Sequence, residues 1–155
     1  MKLRTKVHNS INPNSAKRSV TMNFYLFVIR STDHKIIFNA HADYEHCLRM
    51  IRRLENERGI HVKAYCLMPG YLKLIAGLES SGISSEIVLL DGKTDLSLWN
   101  DFARLVSKPT SLHSQCVRIT HPQRLLELKK YIECEAVRVG FVNDAQQYRY
   151  CSSHN

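Results

Sequence analysis

The sequence predicts an α+β domain built on an antiparallel sheet, and three stretches predict it. Ile60–Leu78, IHVKAYCLMPGYLKLIAGL, carries two runs of strand-like alternation around the turn dipeptide Pro69-Gly70 and reads as a β-hairpin. Asn23–Arg30, NFYLFVIR, is dense in aromatic and β-branched residues and reads as a buried central strand. Between them, Asp43–Arg58 places Tyr44, Cys47, Leu48, Ile51 and Leu54 at helical spacing, the pattern of a helix with one buried stripe.

Taken in order, Met1–Thr21 carries Lys2, Arg4, Lys6, Lys17 and Arg18 with no acid. It has no usable periodicity, so residues 1–21 are read as a basic N-terminal arm and 22–155 as a single domain. Such an arm is either a solvated leader or a grip on phosphates, adding affinity without sequence preference. Ser31-Thr32-Asp33 should turn the chain, and Lys35–Asn39 should form a short strand or an extended arm. Asp43 is expected to cap the helix that follows and Gly59 to end it. The back of that helix mixes Arg49, Arg52 and Arg53 with Glu45, Glu55 and Glu57, as a solvated face does.

In the second run of the hairpin, Leu72 and Leu74 point to the core, and Tyr71 and Lys73 to the opposite side. In the first run, His61, Lys63 and Tyr65 share one face, and Val62, Ala64 and Cys66 the other. Which of these lies beside Tyr71 and Lys73 depends on turn length and stays open at this point. Glu79–Leu98 is broken by Gly82 and by Asp91-Gly92, leaving at most a short helix at Ser84–Leu90. Pro122 can take a first helical position after Thr120 or His121 as cap, with Leu125, Leu128 and Ile132 as the buried stripe, Leu126 beside them, to about Ala136.

At 155 residues and 44% hydrophobic, the chain can bury a real core. No apolar run approaches the ~20 residues that span a bilayer, so no membrane partner is expected. The five cysteines (Cys47, Cys66, Cys116, Cys134 and Cys151) form no C-x-x-C pair, and the eight histidines are dispersed. That argues for buried thiols in a reducing, cytoplasmic setting, with no structural metal and no cofactor. A formal charge of +8 and a pI near 9.4 favour a polyanionic partner.

The hairpin segment KAYCLMPGYLKLI resembles HAYVLMPNHVHLL of the single-tyrosine HUH transposases, the IS200-like and REP-associated tyrosine transposase group. The segment YIECEAVRVGFVNDAQQYRYCSS is similar to that group's YIExNPVRAGLVxDPxxYxWSSY, matching at Glu133, Val137, Arg138, Gly140, Val142, Asp144 and Tyr148. Cys134-Glu135-Ala136 replaces the usual Leu-Asn-Pro, which lets the helix run on, and the matched residues are expected mainly to lock it onto the sheet. Arg30 and Phe38 fall where YHVTxRGNNRxxIF has its arginine and phenylalanine. Leu98-Trp99 stands before a family strand, which would make Phe102–Val106 a strand, with helix as the alternative. The resemblance implies a ferredoxin-like antiparallel sheet with helices mainly on one face.

In that family two histidines on one strand hold a divalent metal, and a helix-borne tyrosine attacks the phosphate. The two histidine positions are Tyr71 and Lys73 here, and neither is a ligand at neutral pH. The tyrosine-bearing helix is expected within Glu79–Leu98, which contains no tyrosine. The resulting expectation is a catalytically inactive, transposase-derived protein that binds hairpin or other DNA, single-stranded or duplex, as a regulator of transcription. Candidate contacts are Arg30, Lys63, Tyr71, Lys73, Arg104, Lys129 and the arm residues Lys2, Arg4, Lys6, Lys17 and Arg18. Lys73 is expected to face outward, so that replacing it would leave folding intact. Two alternatives stand beside this reading: a residual transposase or nuclease on single-stranded DNA, with Lys73 in place of the metal and Tyr71 attacking, and an interaction module that binds no DNA. Homodimerisation is left open.

Overall fold

The structure, a computed structural model, describes residues 21–79, 105–106 and 112–154. Strand β1 spans Met22–Ser31, helix α1 His41–Arg58, and strands β2 and β3 His61–Met68 and Tyr71–Glu79. Strand β4 follows at Leu112–Ile119, then helix α2 at Pro122–Glu133 and the single turn α3 at Glu135–Arg138. The four strands form one antiparallel sheet in the order β2-β3-β1-β4. Placing β3 between β1 and β2 is the split βαβ arrangement of ferredoxin-like domains, so the α+β class and the antiparallel sheet are as the sequence implied.

Two apolar layers sandwich the sheet, so the helices do not lie mainly on one face as the resemblance implied: α1 packs on one side and the α2–α3 unit on the other, because β2 and β3 carry apolar side chains on both faces. On the first face, Tyr44, Cys47, Leu48, Ile51 and Leu54 of α1 pack on Phe27, Ile29, Leu67, Leu72 and Leu74. Full burial of each large side chain contributes about 1.5–3 kcal/mol, which makes this the principal core. On the second face, Ile132 and Ala136 from the α2–α3 unit cover Ala64, Cys66, Met68 and Ile75, with Leu125 and Leu128 half-buried at the margin. Leu126 is 62% exposed and does not join the stripe, because it falls on the outer side of α2.

Local chemistry explains most boundaries. Helix α1 starts two residues before Asp43, with Ala40 as its N-cap. Asp43 instead sits at the third helical position, where its carboxylate accepts the backbone N–H groups of Asn39 and Ala40, both at 2.9 Å. Gly59 ends the helix at φ +62°, a left-handed conformation that glycine adopts without a Cβ penalty. Residues 34–39 form no strand; they run as an arm whose Ile37 and Phe38 are buried and donate their N–H groups to Pro69 O (2.7 and 3.0 Å).

The segment Phe102–Val106 is not a strand where it is described: Leu105 and Val106 form a buried bend, and the rest lies outside the described residues. The strand at Leu112–Ile119 had no strong sequence signal. LHSQCVRI has few β-branched residues and exposes much of its length, and its identity comes from pairing with β1. Helix α2 begins with His121 as N-cap and Pro122 in the first turn, as expected, and breaks at Cys134 before α3 continues. The tail then runs beside β2, with Leu67 N–H donating to Tyr150 O at 2.9 Å. Tyr148 and Tyr150 anchor it, the first through its hydroxyl to Leu67 O (2.8 Å), the second stacked on Tyr44 at 4.0 Å.

Candidate nucleic-acid interface

The hairpin register settles which residues share a face. A two-residue turn pairs Met68 with Tyr71, Cys66 with Lys73 and Ala64 with Ile75, so these six look to the second face. Lys63 is the extra residue of a bulge between Val62 and Ala64, so Val62 does not share the face of Ala64 and Cys66 that alternation gave it: it opposes Ala76 and joins Tyr65, opposite Leu74, toward α1. On the other side of β3, Arg30 opposes Tyr71 and Val28 opposes Lys73. Next to these, β4 brings His113 opposite Arg30 and Gln115 opposite Val28. Antiparallel partners point the same way, so Arg30, Tyr71, Lys73, His113 and Gln115 all belong to one face.

Only half of that face is covered. The α2–α3 unit lies over β2 and β3, whereas Arg30, His113, Gln115 and Val117 on β1 and β4 are exposed. Tyr71 and Lys73 sit at the margin of the cover, and what closes over them is Glu135. Its carboxylate is 1% exposed and accepts from the Tyr71 hydroxyl at 2.5 Å, from the Lys73 ammonium at 2.8 Å and from the Arg138 guanidinium. Lys73 therefore does not face outward; its side chain is only 19% exposed and belongs to a buried ion pair. Sequence periodicity gave its face correctly and could not supply the carboxylate waiting there.

Electrostatics follow from this geometry. Burial alone would raise the Glu135 carboxyl, but hydrogen bonds from Lys73, Tyr71 and Arg138 outweigh it and hold the group below the ordinary carboxylate value. Burial pushes the Tyr71 phenol well above its usual value, and the adjacent Glu135 anion pushes it further. Tyr71 is thus held as a hydrogen-bond donor to Glu135. With Lys73 and Arg138 cationic and Glu135 anionic, the cluster keeps one net positive charge beside the open half of the sheet.

Tyr131, on α2, completes the margin. Its ring is 45% exposed, with Lys73 Nζ 5.0 Å and Arg138 Cζ 4.2 Å from its centroid. Tyr131, Glu135 and Arg138 follow at i, i+4 and i+7, a helical spacing that keeps them on one side across the break at Cys134, and that spacing was the available signal for the trio. The tyrosine brought to Lys73 thus comes from α2. The Glu79–Leu98 segment, where the sequence reading looked for one, lies outside the described residues apart from Glu79.

The other expected contacts scatter. Lys63 lies 5.7 Å from the Phe24 ring at the far end of the sheet, and Lys129 pairs with Glu133 at 3.2 Å. Arg104 and the arm residues Lys2, Arg4, Lys6, Lys17 and Arg18 lie outside the described residues. Of the carried-over terminal motif, Tyr148 and Glu133 do packing work, the latter accepting from Ser152 at 3.3 Å, whereas Arg138 joins the site. Among the described residues no group of three His, Cys, Asp or Glu side chains is placed to hold a metal. None of their helices is long and apolar enough to cross a membrane.

Comparison with solved structures gives a REP-associated tyrosine transposase bound to a REP hairpin, at a TM-score of 0.65 and 14% identity, covering 89% of this chain and 81% of that one. The fold is transposase-like. No protein-family model matches the chain, and no curated protein matches it significantly. The transposase-like domain therefore shares its architecture with a hairpin-bound protein, while its site chemistry must be read from its own residues.

Proposed function

We propose that this transposase-like domain binds nucleic acid on the open half of its sheet and does not catalyse strand transfer. The observation that carries the reading is the gathering of Arg30, Tyr71, Lys73, Arg138 and Tyr131 around one exposed strip of β1 and β4. Cations beside an accessible aromatic ring and a flat, partly apolar sheet suit phosphates and an unpaired base. The hairpin held by the structural neighbour makes hairpin DNA the first ligand to try. Lack of catalysis is supported by the cluster itself: an ammonium occupies the place beside Glu135 where a metal would have to sit, and the Tyr71 proton is committed to that carboxylate. A binding protein of this kind would act as a regulator at the DNA it recognises.

The decisive measurement is fluorescence anisotropy of labelled DNA hairpins with single-stranded flanks, compared with matched duplex. Saturable binding that weakens on Arg30→Glu supports the interface. No binding at moderate salt would leave an interaction module as the better reading. The exposed Tyr131 ring between two cations gives the residual-enzyme reading its one foothold. A denaturation-resistant protein–DNA species that vanishes in Tyr131→Phe would establish that activity and overturn the silent reading.

A further inference from the structure

Cys66 and Cys151 face each other across an isolated antiparallel bridge that ties the C-terminal segment to β2. Leu67 N–H donates to Tyr150 O beside them, the pattern of a pair that exchanges no backbone hydrogen bonds of its own. Such pairs bring their Cα atoms to about 4.5 Å, inside the range of roughly 4.4–6.8 Å that a disulfide accepts. Both thiols are reduced and fully buried, and they pack against Ile132 and Ala136 of the α2–α3 unit. Cys66 also lies directly opposite Lys73 in the hairpin register.

We propose that Cys66 and Cys151 are a redox dithiol, closing to an intramolecular disulfide with a small disulfide oxidant such as oxidised glutathione and thereby clamping the C-terminal segment onto β2. The Cys151 thiolate attacks one sulfur of the oxidant and expels one glutathione thiolate. The Cys66 thiolate then attacks Cys151 Sγ of the mixed disulfide and expels the second. Two electrons and two thiol protons leave the protein, and one oxidant molecule becomes two thiols. Each thiol acts on the other, Cys66 lowering Cys151 and Cys151 raising Cys66, which fits Cys151 as the first attacker.

Access comes from local opening of the tail. That opening must release Leu67 N from Tyr150 O (2.9 Å), Tyr65 N from Ser152 Oγ (3.2 Å), Ser152 and Ser153 Oγ from Glu133 (3.3 and 3.2 Å), the Tyr148 hydroxyl from Leu67 O (2.8 Å) and the Tyr150 ring from Tyr44, so it is a rare event that sets the rate of oxidation. Once closed, the bridge removes that opening and fixes the strand that carries Cys66, one pairing away from Lys73. The other three cysteines make no cross-strand bridge with a cysteine, so the pair is chemically singled out by topology.

The test uses the full chain, reduced, then incubated with oxidised glutathione at mildly alkaline pH, acid-quenched, denatured and alkylated. The proposal expects the five free thiols to fall by two and peptide mapping to join Cys66 to Cys151. It also expects amide exchange at Leu67 to slow by roughly tenfold in the oxidised form, since its partner can no longer swing away. Five persisting thiols, a stable glutathione adduct, or a bridge between other cysteines would overturn it. A correct bridge with unchanged exchange at Leu67 would overturn the clamp. In Cys151→Ala the same treatment should leave Cys66 reduced; a new bridge from Cys66 would show that the pairing is not selective and would sink the proposal.

Discussion

The Lys73 ammonium lies 2.8 Å from Oε1 of Glu135, a carboxylate almost wholly withdrawn from water. One residue from the hairpin and one from the last helical turn are therefore joined by charge at the edge of the second core. Lys73→Glu would set two carboxylates against each other there and should cost about 3–5 kcal/mol, the range for breaking a buried pair. Lys73→Met leaves Tyr71 and Arg138 on Glu135 and should cost about 1–3 kcal/mol. Urea denaturation decides: a Lys73→Glu protein as stable as the parent would mean the pair contributes nothing to folding.

Acid should expose the same contact. Because the folded Glu135 carboxyl is held below its ordinary value of 4.5, the folded state favours its anion. That contribution is complete above the ordinary value and is lost as pH falls through the lower, folded value. Glu135→Gln should therefore be clearly less stable than the parent at pH 7, with the gap closing in acid below that ordinary value. Stability curves that run parallel from pH 7 into acid would refute the assignment.

Arg30 separates binding from folding better than Lys73 does, since it is exposed and makes no ion pair among the described residues. Arg30→Ala should keep the parental melting temperature, weaken hairpin binding and reduce the salt dependence by about one counterion. Binding that is untouched by Arg30→Ala would move the interface off this half of the sheet.

Residues 71 and 73 share a face, and Glu135 reaches both, so histidines at the two positions would give that carboxylate two imidazole partners. Tyr71→His combined with Lys73→His should create stoichiometric manganese or zinc binding by calorimetry, lost again on Glu135→Ala. A folded double variant without metal affinity would show that the strand positions do not converge as the register implies.

Much of this was legible in the sequence because it depends on local periodicity. Alternation around Pro69-Gly70 gave the hairpin and put Leu72 and Leu74 inward. Helical spacing gave the buried stripe of α1, and Gly59 its end. Strand β4 escaped notice because an edge strand with one paired side needs little hydrophobic pattern of its own.

What tertiary structure alone decided is the partner of each exposed-looking side chain. Pairing register placed Arg30 beside Tyr71, and no inspection of either strand alone contains that information. Packing of α3 over β3 delivered Glu135 to Lys73 across a separation of 62 residues, turning an expected surface cation into half of a buried pair. Where no bulge interrupts a strand, the sequence determines which face a residue takes, because side-chain direction is set by neighbouring backbone dihedrals; the bulge at Lys63 is where that failed, for Val62. Only the folded chain determines what occupies the space in front of that face, because the occupant arrives from elsewhere in the chain.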